Sequence, residues 1–306
     1  VLDVATVRGA GVASESEGIM HPEVKAFFDE ATWTLTYVVW DAASKDAVII
    51  DPVLDYDPAA SRVSTQAVDA VAAFVREQGL RAHYVLETHA HADHLTGSQA
   101  LKQRFPGARV AIGSRIREVQ QVFAGVFNLG PGFPVTGEQF DELLEDGSIT
   151  RAGTLEVRTL FTPGHTPACA SYVIGDAVFT GDALFMPDYG TGRCDFPAGS
   201  AAMLYDSITT RLYALPDGTR VFVGHDYRPN GRPVAWESTI GEEKRANVHL
   251  SAATTKEQFV AFRTARDKTL AAPRLLLPSV QFNINAGRMP PPESNGVSYL
   301  KIPLRT

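Results

Sequence analysis

Only two cysteines, Cys169 and Cys194, occur in the 306 residues. That is too few for a disulfide framework, and it points to a reducing, cytoplasmic setting. Each reads as a small buried apolar residue in preference to a catalytic thiol. Long apolar runs are also missing. The longest candidate, residues 37–40, is of strand length, far below the roughly 20 residues that span a bilayer. There is no basic excess: 28 Lys and Arg stand against 35 Asp and Glu, for a net charge of −7. A polyanion held by bulk electrostatics is therefore disfavoured, and nucleic acid with it. The first 19 residues hold neither a basic segment nor an apolar core of secretory type, and no short-period repeat is present. What is left has the composition of an ordinary globular enzyme, 44% hydrophobic and 21% charged.

Alternation and apolar density predict strands at 34–40, 47–50, 83–86, 109–112, 154–160, 170–174, 177–179 and 220–223. Helical periodicity covers 65–78, with Ser64 as its cap and Gly79 as its stop. Further helices are predicted at 96–104, 114–123, 201–213, 237–247 and 256–270. This order suits an α/β chain with two β-rich layers and helices outside them. Residues 1–20 read as an N-terminal extension, with Met20-His21-Pro22 as a plausible start, and residues 21–275 as one domain. Residues 276–306 read as an arm packed on that domain. Its Met289-Pro290-Pro291-Pro292-Glu293 and Ser294-Asn295-Gly296 stretches make an irregular surface segment before a last strand at 297–302.

The densest chemistry lies in Thr88-His89-Ala90-His91-Ala92-Asp93-His94, directly after a predicted strand. Four side chains able to bind metal fall within six residues, and a divalent metal needs several such groups in fixed geometry. Three more candidates follow at strand ends: His165 in Thr162-Pro163-Gly164-His165-Thr166-Pro167, Asp182 after Val178-Phe179-Thr180-Gly181, and His225 after Val221-Phe222-Val223-Gly224. Taken singly, they read equally as a turn histidine, a helix cap and a core histidine. Their shared setting makes them one constellation.

With these residues the chain resembles the metallo-β-lactamase superfamily, whose metal-binding motifs match His89, His91, Asp93, His94, His165, Asp182 and His225. The resemblance implies an αββα sandwich of two facing mixed sheets with outer helices, and a metal site at their edge. Asp51 matches the aspartate that steadies the first histidine of the family. Narrower segments resemble the persulfide dioxygenases: Glu87-Thr88-His89-Ala90-His91-Ala92-Asp93-His94-Leu95-Thr96-Gly97-Ser98, Gly190-Thr191-Gly192-Arg193-Cys194-Asp195-Phe196 and Gly224-His225-Asp226-Tyr227.

That narrower resemblance implies oxidation of glutathione persulfide, or a similar low-molecular-weight persulfide, by O2 to sulfite and glutathione. It implies one Fe(2+) per chain on His89, His165 and Asp182, with zinc or another divalent metal as a substitute in purified protein. His91, Asp93, His94, His225 and Asp51 then form an outer shell, while Arg193 and Tyr227 face the substrate. Arg193 reads either as a partner for a substrate carboxylate or as an anchor for Asp195, with the substrate role favoured. The catalytic machinery is the metal and its ligands, and a homodimer is the expected assembly. The rival enzyme is a binuclear zinc thiolester hydrolase resembling glyoxalase II, which uses all seven ligands. A more distant rival is a non-catalytic sensor with Cys169 and Cys194 as a thiol switch.

Overall fold

In the computed structural model, residues 20–304 are described. The extension expected at residues 1–20 therefore lies, Met20 apart, outside the described residues.

A period of two decides the architecture. In β2 (Thr34–Trp40), Leu35, Tyr37 and Val39 pack with Ile50, Leu86, Tyr172 and Phe179 on one side. Val38 points the other way, into a cluster with Ile49, Val85, Val110, Val68 and Val75. A strand covered on both faces can be apolar at every position, which is why residues 34–39 are buried without interruption.

The first sheet has the order β1-β2-β3-β6-β8-β9. It contains β1 (Glu23–Asp29), β2, β3 (Asp46–Ile50), β6 (Arg81–Glu87), β8 (Arg109–Gly113) and β9 (Glu142–Leu144). Its first two pairings are antiparallel and the other three parallel. The strands β4 (Val53–Asp57), β5 (Arg62–Ser64) and β7 (Leu95–Thr96) make a small ribbon beside it. The second sheet runs in chain order through β10 (Ile149–Ala152), β11 (Leu155–Phe161), β12 (Ala170–Ile174), β13 (Ala177–Phe179), β14 (Arg220–Phe222) and β15 (Glu237–Thr239). Only its β13–β14 pair is parallel.

Helices α1 (Gln66–Glu77), α2 (Ser98–Arg104) and α3 (Ile116–Val126) bury Val71, Leu101 and Val119 against the outer face of the first sheet. Helices α4 (Ala201–Ser207), α5 (Ile240–Ala246) and α6 (Lys256–Asp267) add Leu204, Ile240 and Phe259 to the cluster of the second. The result is the αββα sandwich with two mixed sheets.

Several expectations need correction. Ser64 does not cap α1. Thr65 holds the cap position without a side-chain bond to the helix backbone, and Asp55 of β4 accepts from the Ala67 N–H at 2.9 Å. A carboxylate from a neighbouring strand thus satisfies a donor that the helix leaves free. Residues 237–239 are strand, not helix. The helix begins at Ile240, where Thr239 and Glu242 form a reciprocal capping box. Residues 297–302 form no strand. The Lys301 main chain instead pairs with the Gln281 side chain through two 2.9 Å bonds. The arm opens with a helix that periodicity had not marked, α7 (Leu276–Asn283), whose Val280 and Phe282 are buried in the cluster that holds Leu95. Gly79, at φ +64°, does stop α1.

Candidate metal centre

Each candidate ligand sits just past the end of a strand, and the two sheets bring those ends to one edge. His89, His91, Asp93 and His94 follow β6, His165 follows β11, Asp182 follows β13 and His225 follows β14. The approach is close. Gly181, at φ +50°, lies against Thr88, and a Cβ there would stand 2.5 Å from the Thr88 hydroxyl. Glycine is thus the residue that lets the Asp182 turn meet the His89 loop.

The ligand atoms of His89, His165 and Asp182 all lie within 4.8 Å of one another, and so do those of His91, Asp93 and His94. The sequence-predicted residues therefore form two adjacent groups. His225 borders both, with Nε2 3.5 Å from Asp93 and 3.2 Å from Asp182.

Hydrogen bonds at the far side of each ring decide which nitrogen is free. His165 Nδ1 lies 2.7 Å from the Arg193 carbonyl, which can only accept, so Nδ1 carries the proton and Nε2 keeps its lone pair for the cluster. His225 is oriented in the same way by the Trp33 carbonyl at 3.2 Å. Thr88 donates its hydroxyl to Asp51 at 2.8 Å and accepts from His89 Nδ1 at 3.0 Å, leaving His89 Nε2 free. His91 presents Nε2–H to two buried carboxylates, Asp51 at 3.1 Å and Glu87 at 3.2 Å. Its Nδ1 is the free atom. Such hydrogen-bonded support is what metal-binding imidazoles require.

Burial together with the neighbouring His91 ring holds His89 well below the usual imidazole range, hence neutral. Burial pushes the Asp182 carboxyl up, but His225 and His165 outweigh it and keep the group ionised. His91 goes the opposite way: burial lowers it, and the Asp51 and Glu87 carboxylates raise it further than burial can offset.

Whether the residues suit a metal is decided by four buried atoms. Among the described residues, His89 Nε2, His91 Nδ1, His94 Nε2 and Asp182 Oδ1 find no hydrogen-bond partner. Unsatisfied buried polar atoms are costly, and here they fall within the two ligand groups, those of His89 and Asp182 in one and those of His91 and His94 in the other, where divalent cations would satisfy them. A neutral His89 beside an ionised Asp182 is a donor set for such an ion. This is a metal-binding site.

A cavity of about 390 Å³ opens from Asp182 and is walled by Phe185, Tyr189, Tyr227, His249 and Arg266. A second, of about 210 Å³, reaches the same carboxylate past Trp33, Asp93 and His165. Tyr227 lines both. Its ring stacks on His225, with centroids 5.5 Å apart and planes at 20°, and lies 4.8 Å from Tyr189. Arg193 lines the cavities too, yet its guanidinium forms a bidentate pair with Asp195 at 2.5 and 2.6 Å and donates to the Ala271 carbonyl at 2.7 Å. The side chain thus makes the anchoring contact with Asp195 while it still lines both cavities. Its main-chain carbonyl serves the site directly.

Sequence reasoning passed over several contributors. Glu87 is the most telling, as a buried carboxylate bonded to His91, Thr96 and Ser98. Its signal was a charged residue ending an apolar strand. Thr88, Trp33, His249 and Asn283 carried none.

Comparison with known proteins agrees with this geometry. Residues 34–225 match the metallo-beta-lactamase superfamily. A Burkholderia pseudomallei protein named "Probable metallo-hydrolase" is 50% identical over 291 residues, which cover 92% of this chain and 98% of that one. The human mitochondrial persulfide dioxygenase ETHE1 is 35% identical over 78% of each chain. The crystal structure of ETHE1 from Myxococcus xanthus superposes with a TM-score of 0.69 at 35% identity, covering 87% of this chain and all of that one. The chain belongs to the metallo-beta-lactamase superfamily, and the ETHE1 persulfide dioxygenases are among its relatives within it.

Proposed function

We propose that this chain is an iron(II) persulfide dioxygenase acting on glutathione persulfide or a similar low-molecular-weight persulfide. The observation that carries the reading is the composition of the first cluster, two histidines and one aspartate, with His91 grouped elsewhere. His89, His165 and Asp182 would hold the ion, and iron bound there would supply coordination that a substrate sulfur and dioxygen could share. The balance is RSSH + O2 + H2O → RSH + SO3²⁻ + 2 H⁺. The terminal sulfur gives up four electrons, dioxygen accepts them, and the S–S bond breaks to release the thiol.

The residues of this chain supply orientation. Arg193 and Thr88 hold His165 and His89 with their lone pairs inward. Tyr227 and Tyr189 wall the approach to Asp182. Positioning of this kind turns an encounter in solution into a reaction between neighbours.

Protein loaded anaerobically with iron is expected to hold about one ion per chain and to consume oxygen only when glutathione persulfide is added. Two zinc ions per chain without oxygen uptake would refute the reading. That outcome belongs to the second reading, a binuclear thiolester hydrolase, which is favoured by the free His91 Nδ1 and His94 Nε2 beside Asp93. The sensor reading loses its switch, because both cysteines are buried and burial pushes the Cys169 thiol up to about 12. A thiol held protonated is a poor nucleophile and a poor redox sensor.

A further inference from the structure

Helix α7 is far from the ligands in sequence and beside them in space. Asn283 at its C-terminal end is 3% exposed, and every polar position of its amide is engaged with the ligand loop. Nδ2 donates to the His91 carbonyl at 2.9 Å and to the His94 carbonyl at 2.8 Å, while Oδ1 accepts from the Thr96 N–H at 2.9 Å. Between the end of β6 at Glu87 and the start of β7 at Leu95 the backbone, His91 and His94 included, runs through bends and irregular turns. These buried carbonyls therefore depend on a side chain for a partner. The same Thr96 gives its hydroxyl to Glu87, which in turn accepts from His91 Nε2. Asn283 thus meets the loop both directly and through Thr96 and Glu87.

We propose that Asn283 is a positioning residue of the metal centre, an amide clamp that fixes the His91–Thr96 segment and makes the C-terminal helix part of the site. Few side chains could replace it. Aspartate lacks both donors and would set a carboxylate against two carbonyl oxygens, while alanine leaves two carbonyls and an N–H buried and unpaired. The inference rests on the metal-binding site and not on its substrate: with a single ion the clamp reaches His89 through Thr96, Glu87, His91, Asp51 and Thr88, and with two ions it also fixes His91 and His94 directly.

Gln281 supplies the control. It belongs to the same buried helix, but its amide bonds only the Lys301 main chain in the tail. Asn283→Asp, Asn283→Ala and Gln281→Ala are compared with the unaltered chain by chelator competition for zinc, by the visible spectrum of the cobalt(II)-loaded protein and by thermal melting without metal. Removal of support behind metal-binding histidines costs about 10- to 100-fold in affinity. The Asn283 variants are expected to weaken by at least about tenfold, with a changed cobalt spectrum, and Gln281→Ala is expected to keep both properties at any melting temperature. Asn283→Asp, nearly isosteric, serves if the alanine variant does not fold. Asn283 variants with unaltered affinity and spectrum would overturn the inference, as would an equal loss in Gln281→Ala. An unaltered chain that took up no metal would overturn the metal-centre reading as well, so the two failures are distinguishable.

Discussion

His165 is aimed by the main chain of Arg193, whose carbonyl stands 2.7 Å from Nδ1, while the guanidinium of the same residue turns away to Asp195 and Ala271. One residue therefore has two separable effects. Arg193→Gln keeps the carbonyl and removes the tether on the segment between α6 and α7. Metal stoichiometry is expected to stay near that of the unaltered chain, while proteolysis between residues 268 and 275 becomes faster. Loss of metal in parallel with the loosened segment would mean that the carbonyl cannot hold His165 alone.

Thr88 relays Asp51 to His89 through one hydroxyl. Thr88→Val preserves shape and removes both bonds, and Thr88→Ser preserves the bonds. Metal affinity of the valine variant should fall by about 10- to 100-fold, and serine should restore most of it. Equal affinities in a chelator titration of the two variants would rule the relay out.

The two ligand groups make different demands on Asp182 and Asp93. If a single ion sits on His89, His165 and Asp182, Asp182→Ala abolishes iron retention and oxygen uptake, while Asp93→Ala keeps most of its iron. Elemental analysis after desalting decides the matter. Equal losses would place a second ion on His91, Asp93 and His94.

Glu243 gives the fold a pH dependence away from the ligands. Burial raises its carboxyl to about 7, against hydrogen bonds from Asn247 and Ser238 that pull it down. A folded-state value above the unfolded one favours the protonated acid. Its contribution is complete below the usual carboxylate range and is lost as pH rises through about 7. Glu243→Gln, which cannot ionise, should gain on the unaltered chain by on the order of 2 kcal/mol between about pH 5 and pH 8. Denaturation midpoints that stay parallel across that range would contradict the assignment.

The legible parts of this molecule share a cause. His89, His91, Asp93, His94, His165, Asp182 and His225 stood out because metal-capable residues recurred at the ends of recognisable strands, and eight strands showed in their apolar content. β1 escaped notice because it is only partly covered, so its apolar pattern is diluted by Glu23, Lys25 and Asp29. The boundary at Ile240 was hidden because periodicity runs through Thr239, where a capping box decides. Asn283 and the carbonyls of Arg193 and Trp33 were illegible for a different reason. Their contribution depends on who stands opposite in the fold, and nothing in their own neighbourhood in the chain records that.

The sandwich has a mechanical consequence at its edge. His89 is carried by the first sheet, and His165 and Asp182 by the second, so an ion held by all three is a rivet between the layers. Neither layer can assemble that donor set alone, and docking of the sheets and completion of the site become one event. Occupancy then resists any parting of the layers by RT ln(1 + [M]/Kd). A chelator should accordingly loosen the seam between the sheets before it disturbs the helices behind them.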